Sequence, residues 1–217
     1  MMTEILRHSP VSFEVKPAQA EVRDGWEIIL EYEEEAKGPY LIDMSYSAKW
    51  DVQDRDLSQI RPWGVTIPET PGQCAFQKGI LINRMNRTQA ACWHLCRTSP
   101  AVQEESAYTE TTDATLLLAL LGKEVFSIME KVSALDFLSP EKKPPFLLQG
   151  PILHVPCQVV CLGKVDENIA VLFTCSRGYG ESMVKGILHA GAEWALRPAG
   201  ESVFTSWLGG LSAPASH

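Results

Sequence analysis

Large and β-branched residues crowd Trp26 to Tyr32 (WEIILEY), which reads as a strand closed by the acidic run Glu33 to Glu35 and the turn Lys37-Gly38-Pro39. Tyr40 to Val52 alternates apolar and polar positions and turns over Ser45 to Ser47. A short helix over Asp54 to Ile60, ended by Pro62, fits the next stretch. Two further strands, about Gly79 to Arg84 and Thr88 to Cys96, are joined as a hairpin through Asn86 and Arg87. Strand, helix and hairpin in that order predict a split βαβ unit.

The same grammar returns after the polar stretch Thr98 to Thr112. Asp113 to Leu121 (DATLLLALL) is a strand, and Val125, Phe126, Ile128, Met129 and Val132 recur at helical spacing within Lys123 to Leu135. A proline-rich loop, Asp136 to Pro145, precedes strands over Ile152 to Leu162 and Ile169 to Thr174. A helix over Glu181 to Trp194 follows. Aligning Asp43 with Asp113 makes the pattern repeat about 70 residues apart. The fold class this implies is α+β, with two duplicated split βαβ (ferredoxin-like) modules packed together. The expected divisions are a polar N-terminal arm (1–25), a first module (26–97), a linker (98–112), a second module (113–208) and a tail (209–217).

Of 217 residues, 45% are hydrophobic and 21% charged, which is material for a sizeable core. The net charge of −8 excludes a surface built to follow nucleic acid, which needs clustered Lys and Arg. Glu4, Arg7 and His8 interrupt the N-terminus where an export signal needs an apolar run, and the longest such run, Leu116 to Leu121, is too short to span a bilayer. A cytoplasmic protein with reduced thiols is the expectation. Cys92, His94 and Cys96, and likewise His154, Cys157 and Cys161, lack the tight Cys-x2-Cys spacing of structural zinc sites, so packing is expected and no metal. Neither a phosphate-binding Gly-x-x-x-x-Gly-Lys-Ser/Thr loop nor a Gly-x-Ser-x-Gly nucleophile motif occurs. Trp50, Trp63 and Trp207 are candidates to edge a pocket.

Four stretches, LIDMSYSAKWDV (41–52), PGQCAFQKGIL (71–81), TDATLLLALLG (112–122) and GAEWALRPAGESVFTSWL (191–208), carry a family resemblance. In order and spacing they resemble the folate-binding aminomethyltransferases (glycine cleavage T-proteins) and the gamma subunit of heterotetrameric sarcosine oxidase. The first matches a segment with Asp-x-Ser followed by Lys, here Asp43, Ser45 and Lys49; the last matches a Leu-x-Pro-Ala-Gly signature, here Leu196 to Gly200. Longer members continue into a further barrel domain, which the resemblance leaves out of this chain. The family's catalytic aspartate maps to Asn83, and an amide is unable to carry charge or take a proton at neutral pH. The family's pterin-binding glutamate maps to Glu181 within Arg177-Gly178-Tyr179-Gly180-Glu181. The competing reading of that segment is a glycine turn with Glu181 favouring the helix dipole.

The resemblance implies a site of Asn83, Arg177, Tyr179 and Glu181 for tetrahydrofolate. It implies a non-catalytic or accessory subunit in folate one-carbon metabolism, with a protein partner in a larger complex or homo-oligomer. The alternative is a genuine tetrahydrofolate-dependent aminomethyl or methyl transferase using Asp43 or Glu181, or a catalytic share in a sarcosine oxidase-like oxidoreductase.

Overall fold

The computed structural model describes residues 6–98, 100–101 and 105–212; parts of the expected arm, linker and tail lie outside them. The chain opens with a hairpin of β1 (Pro17–Arg23) and β2 (Trp26–Tyr32), turned over Asp24 and Gly25, both at positive φ. Then come β3 (Tyr40–Asp43), β4 (Lys49–Gln53), β5 (Cys74–Gln77), β6 (Ile80–Asn86), β7 (Gln89–His94) and β8 (Tyr108–Glu110). The rest is β9 (Thr115–Gly122), α1 (Val125–Val132), β10 (Phe146–Ile152), β11 (Val155–Val165), β12 (Asn168–Ser176), α2 (Gly180–Ala190), β13 (Arg197–Ala199) and α3 (Glu201–Ser212).

Besides the hairpin, the strands form a six-stranded sheet ordered β10-β11-β12-β9-β3-β13 and a five-stranded sheet ordered β5-β6-β7-β4-β8. One face of the larger sheet (Leu116, Leu118, Leu120, Val171, Phe173) packs on α1 and α2. Its other face (Leu117, Ala119, Leu121, Leu172) meets Leu81 and Trp93 of the smaller sheet and Phe204 and Trp207 of α3. The continuous apolar run Leu116 to Leu121 in β9 follows from burial on both faces. The far face of the smaller sheet, with Trp50, Val52, Ile82 and Cys92, is covered by Leu57, Val65 and Ile67.

The mixed α+β class is therefore observed, with topology that departs from the expected pattern at several points. Asp54 to Ile60 yields only a 3-10 turn at Leu57–Gln59, capped by Asp56, because Pro62 opens a second turn directly after it. β9 runs antiparallel to β12, β12 to β11 and β11 to β10, so α1 joins antiparallel strands and not the parallel pair of a split βαβ unit. The split arrangement occurs instead in β12-α2-β13, with β9 and β3 lying between two strands of like direction. β3 of the first half thus completes the sheet of the second.

Six elements escaped the sequence pattern, among them the short strands β5 and β13. β1 lies in the polar arm and β8 in the linker, both short of buried apolar residues. β10 carries Gly150 and Pro151 beside an otherwise apolar strand. α3 extends through Gly209 to Ser212, where the tail was expected, and a Cβ on Gly210 would stand 2.9 Å from Val165 Cγ1. Gly210 lets the helix lie close on β11, whereas Gly209 faces open space.

Candidate functional site

The Asp-x-Ser segment crosses from β3 in one sheet to β4 in the other, and its polar groups are held inside the molecule. Asp43 Oδ1 accepts from the Ser45 amide at 2.9 Å, and its carboxyl also receives the Ser9 hydroxyl. Ser45 Oγ accepts from the Leu117 amide at 3.1 Å, tying the turn to β9. Lys49, 1% exposed, donates through Nζ to the carbonyls of Ser45 (2.7 Å) and Ser47 (3.0 Å). Its backbone amide meets Thr112 Oγ1 at 3.0 Å.

Burial sets the protonation of both charged groups, because a low-dielectric surrounding disfavours charge. It pushes the Lys49 ammonium down to about 7, against the opposing pull of the Asp43, Asp113 and Glu110 carboxylates. It pushes the Asp43 carboxyl up, against hydrogen bonds from Ser45 and Ser9 and the charge of Lys49.

Two cavities flank this turn, with Tyr46 in the wall of both. One, of about 340 Å³, is bounded by Ser9, Phe13, Glu27, Tyr32 and Asp43. The other, of about 220 Å³, is bounded by Arg7, Arg23, Trp50, His94 and Arg97. Burial lowers His94 and favours its neutral form. Trp50 Nε1 is buried with no hydrogen-bond partner among the described residues.

Beside Tyr46 lies a buried ion pair. Arg23 Nη1 and Nη2 reach the two oxygens of Glu201 at 2.8 Å each, and Glu201 is 3% exposed. Glu201 holds Arg23 well above its usual range, and Arg97 and Glu21 extend the network. Burial and then Glu201 likewise raise the Tyr46 phenol. Sequence reading passed over Glu201, Arg23, Tyr32 and Tyr46. A signal existed for Tyr46 and Glu201, which sit within or directly after the two family-like motifs.

The residues that the resemblance selected are not assembled in one place. Asn83 lies within β6, fully buried; its Oδ1 accepts from Cys74 Sγ at 3.1 Å, and its Nδ2 has no partner among the described residues. Arg177, Tyr179 and Glu181 lie together at the β12-α2 junction. Arg177 donates to the carbonyls of Asp113 (2.9 Å) and His8 (3.4 Å), and Tyr179 is 46% exposed. Glu181 is exposed and bonds Lys185 Nζ at 2.6 Å, which holds its carboxyl below the usual range.

Of the candidate pocket tryptophans, Trp50 lines the smaller cavity, Trp63 covers the outer sheet face, and Trp207 is core, its Nε1 bonded to Asn168 O at 3.1 Å. All six cysteines are free thiols, with Cys157 Sγ bonded to the Val155 carbonyl at 3.2 Å and Cys175 Sγ to the Ser176 carbonyl at 3.7 Å. Among the described residues no three His, Cys, Asp or Glu side chains converge as metal ligands, and no helix is long and apolar enough to cross a membrane.

No family model and no curated protein sequence matches this chain. Its structure is similar to a chain of the heterotetrameric sarcosine oxidase from Corynebacterium sp. U-96, solved in complex with pyrrole 2-carboxylate. The two share 13% identity at a TM-score of 0.60, over 71% of this chain and 84% of that one. The sarcosine oxidase-like resemblance read from the sequence thus holds at the level of the fold.

Proposed function

We propose that this chain is an accessory, non-catalytic subunit of a larger assembly related to heterotetrameric sarcosine oxidase, acting in folate-linked one-carbon metabolism in the cytoplasm. The observation that carries the reading is the shared fold with a chain of a heterotetramer. Asn83 supports it from the chemical side: where the family resemblance calls for a proton-handling carboxylate, this chain has a buried amide inside a strand. The reading keeps the divisions 26–97 and 113–208, the first built of strands and 3-10 turns alone, with its β3 built into the sheet of the second.

Tagging the chain in its native cells and purifying it under gentle conditions tests the reading. Recovery of an amine-oxidising flavoprotein at fixed stoichiometry, visible by flavin absorbance, is the expected result. A chain that comes away alone removes the subunit role.

The transferase alternative is separated by calorimetry with a stable reduced folate. An accessory subunit binds it weakly, with no change in Glu181→Ala. Tight binding abolished by that substitution would instead establish a folate site at the β12-α2 junction.

A further inference from the structure

The larger cavity contains a carboxyl group that the subunit reading does not use. Asp43 is half-buried and forms part of the cavity wall. One of its oxygens accepts the Ser45 amide at 2.9 Å, and the Ser9 hydroxyl and the more distant Lys49 charge also favour the carboxylate. No Lys, Arg or His among the described residues forms an ion pair with it within 4 Å: Lys49 turns its Nζ to the Ser45 and Ser47 carbonyls. A carboxylate withdrawn from water without a cation is costly, and a countercharge arriving from solution would relieve that cost.

The rest of the cavity narrows the identity of that cation. Glu27 adds a second carboxylate, and the basic group in the lining, His8, lies 3.9 Å from it and is 70% exposed. Phe13 and Tyr32 meet edge to face at 5.7 Å, and Tyr46 and Ile28 extend the ring and aliphatic surface. A divalent metal wants several carboxylates converging on one point, and among the described residues no three His, Cys, Asp or Glu side chains do so. An organic ammonium ion matches both parts: its N–H groups donate to Asp43, and its alkyl groups and charge lie against aromatic rings. About 340 Å³ suits a small ligand of this kind.

We propose that the cavity between the 8–15 segment, β2 and the β3 end binds a small organic ammonium ion, with Asp43 as its counter-ion and Phe13, Tyr32 and Tyr46 as its walls. The site stands independently of the subunit role, since every group it uses belongs to this chain.

The test is NMR titration of the full-length chain with n-propylammonium chloride, using n-propanol and sodium chloride as controls. The expected result is saturable shifts of the Phe13 and Ser45 amides with the ammonium ion alone, weakened at least tenfold in Asp43→Asn. Should Asp43→Asn fail to fold, Phe13→Ala, in the segment that lies over the cavity, is expected to weaken binding several-fold. Shifts equally strong with n-propanol, shifts that never saturate, or affinity unchanged in the folded variants would each overturn the site.

Discussion

Gly200 shows why a motif can be legible while its reason is not. The Pro-Ala-Gly segment stands out in the sequence, yet the constraint comes from a strand far away: a Cβ at Gly200 would collide with the Leu30 carbonyl of β2. Gly200→Ala is expected to cost about 1–3 kcal/mol in urea unfolding, as overpacking against backbone does. The adjacent Glu201 closes the pair with Arg23, so Glu201→Ala leaves that half-buried guanidinium with Glu21 alone, and a loss of about 1–3 kcal/mol is expected. Lys49 gives a pH signature. Its folded pKa of about 7 lies below the ordinary lysine value of 10.5, so between these the unfolded chain holds the extra proton. Stability of the native protein should therefore rise from pH 7 towards 10 relative to Lys49→Met, and parallel profiles for the two would refute this. Asp43 has the opposite sign: its raised folded pKa means that its contribution falls as pH rises above its unfolded value of 3.8. The Asp-x-Ser and Lys pattern was visible in sequence, but Ser9, Thr112 and Leu117, which complete it, are distant along the chain.

Elements were legible where burial writes itself into composition. β2, β9 and β12 fell close to expectation because each has a buried apolar face or two. β1, with only Val22 and Glu21's ion pairs to mark it, is a strand because β2 offers it a partner edge. The segment before it, around Pro10, crosses the start of α2, and Gly180 permits that approach since a Cβ there would collide with the Pro10 carbonyl oxygen. This gives the glycine of the Gly-Tyr-Gly stretch a packing role at the edge of the larger cavity. Gly180→Ala should lift the 8–15 segment while leaving the two large sheets intact. Hydrogen exchange would register this as faster exchange of the Val11 amide, now bonded to Ser9 Oγ at 3.0 Å, with β9 and β12 amides unchanged.

At the scale of the whole molecule, helices α1 and α2, the six-stranded sheet, and the five-stranded sheet with α3 stack into layers, with the β1-β2 hairpin pinned to α3 through Arg23 and Glu201. Periodicity predicts such elements well but is silent on which strand joins which sheet, and β3 pairs with β9 through contacts 75 to 81 residues apart in sequence. That is why the repeated grammar suggested two self-contained halves while the strands interlock. The same limit applies to the site: Asn83 and Glu181 were found by resemblance, whereas the Asp43, Tyr46 and Glu201 centre exists only once the sheets meet. The most direct test of the accessory-subunit account is native mass spectrometry of the tagged chain purified from its own cells. The account predicts a single complex well above the 24.0 kDa of one chain, containing a flavoprotein in whole-number ratio. A lone 24.0 kDa species would contradict it.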